Sequence, residues 1–184
     1  MLAVESHYRC VYCAIHEARM GGTRCFHVEH YRPKSRFAQL ENRFENLFYS
    51  CPICNVFKGD DWPCEPATDH STAAYPDPSA IDYSHILSVD KTSMSVSSDR
   101  VAGKYMIERL FLNRPQLIRE RRLAAIQERA RAMRGMAKAL VAELATAPTL
   151  GRLVTGLLAA IVEVDEMLDE LVSDRPYAPK DVQR

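Results

Sequence analysis

Two cysteine pairs constrain this chain more than any other feature. Cys10 and Cys13 enclose two residues near the start, and Cys51 and Cys54 repeat that spacing far downstream. Each Cys-x2-Cys turn puts two sulfurs on one side of a tight bend. Where two such turns meet they offer four thiolates, which match tetrahedral zinc in a closed, structural site. Residues 1–9 are mixed polar with no apolar export segment, so the thiols read as reduced, in a cytoplasmic protein, rather than as a disulfide frame. Zinc would tie the N-terminus to the segment around residue 50, with an apparent stabilisation of about 10 kcal/mol, comparable to the stability of a whole small domain. Two other readings compete: four unrelated buried cysteines, and a redox pair, for which no thioredoxin-like pattern surrounds either turn. His7, three residues ahead of Cys10, could replace one ligand. Cys25 and Cys64 fall outside the scheme and read as half-buried cysteines.

The pattern along the chain predicts an α+β protein. Met20-Gly21-Gly22-Thr23 signals a turn between two short strands, and the segment from Arg24 to Tyr31 should include a strand that Pro33 then breaks. Pro52 sits just inside a helix start, with Ser50 or Cys51 as its cap and Gly59 near its end. Pro63, Pro66, Pro76 and Pro78 crowd residues 62–80 and predict a loop, and the runs on either side of Asp90-Lys91 make a candidate β-hairpin. From Gly103 the pattern is helical: one short helix from Lys104 to Leu112 that Asn113-Arg114-Pro115 ends, a long one from Pro115 to about Ala145, and a last one after Pro148. In the last, Leu150, Leu153, Val154, Leu157, Leu158, Ile161, Met167, Leu168, Leu171 and Val172 form a stripe at helical spacing, which predicts a packing face and an antiparallel helix pair. The expected organisation is a zinc-stabilised core at 1–66, a linker with the hairpin at 67–102, a helical region at 103–175 and a tail at 176–184.

Formal net charge is zero, which argues mildly against a nucleic-acid partner, but the distribution is uneven. Arg114, Arg119, Arg121, Arg122, Arg129, Arg131, Arg134 and Lys138 face only Glu120 and Glu128 in the same stretch, while the segment from Glu163 to Asp174 is purely acidic in its charges. The basic run reads either as a grip on a nucleic-acid backbone or as the solvated face of a long helix. No stretch of about 18 apolar residues predicts a membrane span.

The chemistry concentrates in two runs: Phe26-His27-Val28-Glu29-His30-Tyr31-Arg32-Pro33-Lys34-Ser35, and the run from Asn46 through Cys51-Pro52-Ile53-Cys54-Asn55 to Lys58-Gly59. An acidic residue before His, an Asn ahead of the second cysteine pair, an Asn directly after it and a Lys three residues later resemble the HNH nuclease family over roughly residues 8 to 60. The Arg-Pro-Lys-Ser extension and the Leu112-Asn113-Arg114-Pro115 and Leu117-Ile118 stretches are similar to HNH proteins of anti-phage defence, of the Septu and retron-linked type. The resemblance implies a ββα-metal core with the four-cysteine zinc site, followed by a helical C-terminal region. It implies metal-dependent cleavage of DNA and, for some relatives, an ATPase partner.

Carried over residue by residue, His30 would be the general base, Glu29 and Asn55 would hold a catalytic Mg2+ or Mn2+, and Asn46 would orient the His30 ring. Lys58 would contact phosphate or hold its helix, and Arg32 and Lys34 would lie against the substrate. The assignment suits phosphodiester hydrolysis, which needs a base of near-neutral pKa and a Lewis-acidic ion held by oxygen ligands. Glu29 and His30 are adjacent, so on a regular strand they face opposite ways, and the resemblance implies a local irregularity just past the strand, with which Pro33 is compatible. His27 reads equally as a metal partner of His30 and as a buried or substrate-contacting residue. Arg36 joins the basic cluster, and His70 and His85 are left unassigned. The competing reading is a non-catalytic zinc module that binds nucleic acid or protein. It would need the cysteines but not Glu29, His30 or Asn55.

Overall fold

The computed structural model describes residues 1–144 and 151–172. A single helical turn, α1 (Leu2–Glu5), precedes the first cysteine pair. The glycine turn then takes shape as two 3-10 turns, Glu17–Met20 and Thr23–Cys25, joined through Gly21 at φ 90 and Gly22 at φ 85. These backbone angles suit glycine. The strand expected ahead of this turn is reduced to one bridge, Arg9 to His16, because the 3-10 turns consume the intervening chain.

Strand β1 (His27–His30) pairs antiparallel with β2 (Leu47–Ser50), His27 opposite Ser50 and His30 opposite Leu47. Helix α2 (Pro52–Lys58) follows at once. Pro52 occupies its first turn, the Cys51 sulfur caps it by accepting from the Cys54 N–H at 3.4 Å, and Gly59 ends it at φ 49. The sequence therefore runs strand, loop, strand, helix, and α2 lies along β1.

Residues 67–102, expected as a linker with a hairpin, are largely at the surface but send a few side chains into the core. Ala74, Tyr75 and Pro76 are fully buried. The Tyr75 carbonyl accepts from the Tyr31 hydroxyl at 2.7 Å, and the Tyr75 hydroxyl donates to Asp61 at 2.8 Å. Proline-rich chain has few backbone donors to pair, so it can cross the interior as an extended strap that an aromatic residue anchors. The hairpin forms as β3 (Ser88–Val89) and β4 (Val96–Ser97). The Asp90 carboxylate gathers the turn N–H groups of Thr92 and Ser93, and Asn113 clamps both backbone groups of Val96.

Helix α3 (Val101–Arg109) begins and ends three residues ahead of the predicted helix from Lys104 to Leu112. Gly103 lies inside it, at a place where a Cβ would run into the Ser98 side chain. Two long helices complete the fold, α4 (Pro115–Leu144) and α5 (Gly151–Val172).

The chain divides into two compact units, Met1–Glu120 and the part from Arg121 onward, with the boundary inside α4. The first has an aromatic-rich core of Tyr12, Tyr31, Tyr49, Trp62 and Tyr75 with Met106, Leu110, Leu112 and Leu117. In the second, an ion pair of Arg134 with Asp165 joins α4 to α5. Of the stripe predicted as a packing face, Val154 is buried, Ile161 is half-buried, and Leu157 and Leu158 are exposed. Pro148, Leu150 and the 176–184 tail lie outside the described residues, as do the side chains of Leu153, Met167, Leu168, Leu171 and Val172. No helix among the described residues is long and apolar enough to cross a membrane.

Candidate zinc centre and active site

The sulfurs of Cys10, Cys13, Cys51 and Cys54 all lie within 4.8 Å of one another. Four sulfurs about 2.3 Å from a tetrahedral zinc stand about 3.8 Å apart, and the Cys13–Cys51 separation is 3.8 Å. The site fits zinc, and it is closed: Cys10, Cys51 and Cys54 are buried and Cys13 is half-buried. His7 is exposed and is not in the cluster. Cys25 and Cys64, expected to be half-buried, are exposed.

One partner of this centre was not foreseen. The Arg114 guanidinium points at the sulfurs, 3.7 Å from Cys13, 3.7 Å from Cys54 and 4.0 Å from Cys51, and it also donates to the Leu110 carbonyl at 3.1 Å. Zinc with four thiolates carries net negative charge, and a half-buried guanidinium is the natural offset. Grouping Arg114 with the basic run concealed this role. The available signal was its place in Asn113-Arg114-Pro115, where α3 has ended and α4 has not begun, so it belongs to neither helix face. Of the rest of that run, Arg119, Arg122, Arg129, Arg131 and Lys138 are exposed.

Beside the zinc centre, β1 and α2 bring together most of the predicted residues. The strand is regular from His27 to His30, so Glu29 and His30 point opposite ways. His27 and Glu29 share the face covered by α2. The Glu29 carboxylate turns inward to Lys58 at 2.7 Å and to the Tyr12 hydroxyl at 3.3 Å. Burial raises its pKa above the ordinary carboxyl range, against the opposing pull of Lys58 and Tyr12. The expectation that Glu29 is a metal ligand thus meets a carboxylate with only 5% of its side chain exposed, already held by a cation.

Lys58 is buried as well, so its ammonium is not available to a surface phosphate. It donates to the His30 carbonyl at 3.0 Å and lies 5.7 Å from the centre of the Tyr75 ring. It therefore locks α2 to β1, with Tyr75 of the proline-rich strap as part of its cage.

His30 is half-buried at the end of β1, and its Nε2 lies 3.0 Å from the Glu41 carbonyl oxygen. A carbonyl only accepts, so Nε2 carries a proton, and in the neutral ring the lone pair is then on Nδ1. Asn46 was expected to orient this ring. Instead its side chain holds backbone: it accepts from the Arg32 N–H at 2.7 Å and donates to the carbonyls of Arg32 at 3.0 Å and Leu40 at 3.3 Å. Leu40 is the neighbour of Glu41, whose carbonyl the His30 ring contacts.

Asn55 is partly exposed on α2, and its amide nitrogen lies 3.1 Å from Nδ1 of exposed His27. The basic side chains beside them have protein partners. Arg32 pairs with Glu65 at 2.7 Å and lies 5.5 Å from the Trp62 ring centre, Lys34 pairs with Glu41 at 3.0 Å, and Arg36 donates to the Trp62 carbonyl.

Residues 10–61 match the HNH endonuclease family. The chain therefore carries an HNH domain, and the match opens on the first zinc-ligand cysteine and takes in β1, β2 and α2. Comparison with curated proteins and with solved structures returns no match. The HNH domain and its cysteine cluster establish the mixed α and β class, the zinc-binding site and the helical region that follows.

Proposed function

We propose that the protein is a metal-dependent endonuclease that hydrolyses phosphodiester bonds of DNA, with His30 as general base. The observation that carries this reading is the state of the His30 ring within an HNH domain. The Glu41 carbonyl holds the Nε2 proton at 3.0 Å, which leaves Nδ1 free to take a proton from water. A bound Mg2+ or Mn2+ supplies Lewis acidity to the phosphate and stabilises the leaving oxygen. Asn55, partly exposed on α2, is the oxygen ligand the chain offers from the helix. Asn46 keeps the loop that carries Glu41 in register, so the base stays in one tautomer. Arg32 and Lys34 hold their carboxylate partners in solvent-exposed pairs, and such pairs are weak enough for phosphate to replace.

The run around His30 and the Arg-Pro-Lys-Ser extension support a narrower reading: a nuclease of anti-phage defence that works with an ATPase partner. The competing module without catalysis gives no reason for a partly exposed Asn55 beside His27 or for a His30 ring whose Nε2 proton is held by a carbonyl.

Plasmid cleavage by the wild type and by His30→Ala, with Mg2+, with Mn2+ and with EDTA, tests the proposal. Metal-dependent cutting by the wild type alone supports it. Equal cutting by both chains removes His30 as the base. If neither cuts even with an ATPase partner added, the non-catalytic zinc module stands.

A further inference from the structure

The resemblance pairs Asn55 with Glu29 as metal ligands, but the geometry pairs it with His27. We propose that His27, with Asn55, holds the divalent ion of this site, and that its imidazole tunes the site toward Mn2+ over Mg2+. The inference rests on the nuclease reading for the purpose of the ion but not for its place. Asn55 Nδ2 donates to His27 Nδ1 at 3.1 Å, so a lone pair of His27 points at the Asn55 amide. Amide nitrogen and oxygen exchange positions by a half-turn of the side chain. After that half-turn, an imidazole nitrogen and an amide oxygen stand side by side at the surface. Two adjacent ligands of an octahedral ion with bonds of about 2.1 Å are about 3.0 Å apart, close to the separation found here.

Glu29 lacks what His27 has. Its carboxylate is 2.7 Å from the Lys58 ammonium, and Lys58 has no exposed side-chain surface. For Glu29 to turn to a surface ion, it would have to leave Lys58 buried without a counter-charge. The two pairs have separate tasks along one strand face: Glu29 and Lys58 fasten α2 to β1, and His27 and Asn55, at the open end of the same contact, remain accessible. A nitrogen ligand also bears on which ion binds. Mg2+ demands a shell of oxygens, whereas Mn2+ shares that liking for oxygen but opens the transition series that mixed nitrogen and oxygen sites bind, so one imidazole among oxygens disfavours it less.

The test is Mn2+ and Mg2+ binding to the zinc-loaded full-length chain, followed by electron spin resonance and calorimetry, with zinc content and circular dichroism as controls on folding. The wild type is expected to bind Mn2+ more tightly than Mg2+ and to show nitrogen hyperfine coupling on the bound manganese. His27→Ala should weaken Mn2+ binding about tenfold or more and abolish the coupling. Glu29→Gln, which still offers Lys58 an acceptor, should keep Mn2+ affinity within about threefold. His27→Asp should restore binding without the coupling and shift preference toward Mg2+.

Unchanged Mn2+ binding by His27→Ala overturns the proposal, as does absence of the coupling in the wild type. Loss of binding in folded Glu29→Gln, with binding kept in His27→Ala, moves the ion to Glu29. None of these outcomes depends on cleavage, so plasmid cutting by the wild type and His30→Ala judges the nuclease reading separately.

Discussion

The two units differ in how they bury charge. Met1–Glu120 has exposed pairs such as Lys34–Glu41, but it also holds charge inside: the Glu29–Lys58 pair is buried under α2, and the Arg114 guanidinium contacts the sulfurs of Cys13, Cys51 and Cys54. From Arg121 onward, charge is outside. Arg122, Arg129, Arg131 and Lys138 are exposed on α4, as are Met133 and Met136, and Val154 is the one fully buried residue among the described side chains. The first unit concentrates its stability in a few polar centres that join segments far apart in sequence. The second spreads it along backbone hydrogen bonds that are local to each helix. Damage to one polar centre should therefore collapse the first unit cooperatively, while the second should respond only in small steps.

Zinc removal should separate them most. A structural zinc contributes about 10 kcal/mol or more, so chelation, or Cys51→Ala, should unfold the first unit. Helical circular dichroism from α4 and α5 should persist in part, while the near-ultraviolet signal of the aromatic core disappears. If both signals vanish together, the units are not energetically distinct.

The buried ion pair comes next. Lys58→Ala leaves Glu29 buried without its cation, at an expected cost of about 3–5 kcal/mol. Lys58→Met with Glu29→Gln removes both charges at similar volume and should recover much of that loss. Denaturant unfolding of the zinc-loaded proteins measures both. Equal losses in the single and the double variant would mean that the pair is not what holds α2 to β1.

How far the site was legible follows the same division between local and long-range effects. The cysteine spacing, the Pro52 helix start and the Gly59 stop are local signals, and each has its place in the structure. What escaped the sequence depends on contacts between distant segments. Whether Glu29 faces an ion or Lys58 depends on how α2 lies across β1, which no pattern within either element determines. Asn46 acting on backbone rather than on the His30 ring depends on the path of the loop from Arg32 to Glu41. Proline density marks residues 62–80 as irregular, but it does not say which of them enter the core. Tyr75 was the neglected sign, since a large aromatic inside a proline-rich run gains most from burial.

Asp61 tests the interior charge of the first unit by pH. It accepts from the Tyr75 hydroxyl at 2.8 Å, from the Tyr105 hydroxyl and from Arg109 Nε at 2.9 Å. Burial pushes its carboxyl up, but Tyr105, Tyr75 and Arg109 outweigh it and leave the group below its ordinary value. A carboxyl lowered on folding stabilises the protein above the unfolded-state value of about 3.9, and that contribution is lost as pH falls through the lower folded value. Asp61→Asn should cost about 2 kcal/mol at neutral pH. It should also make stability fall less steeply than in the wild type below about pH 4. An unchanged acid slope would show that the tyrosines do not favour the ionised form.

The smallest effect belongs to the second unit and decides whether the comparison is one of kind or of degree. Val154 is 7% exposed on α5, whereas Leu157, one turn on, is 42% exposed. If this unit has even a modest core, Val154→Ala should cost about 1 kcal/mol through lost burial, and Leu157→Ala should stay within about 0.5 kcal/mol. Amide hydrogen exchange along α5 resolves the two, because it reads local opening even where global unfolding is governed by the zinc-bound unit. Faster exchange in Val154→Ala alone would show that packing, and not helix propensity by itself, stabilises the region from Arg121. Equal exchange in both variants would leave only intrinsic helix formation, to which alanine is favourable, and the two units would then differ in kind.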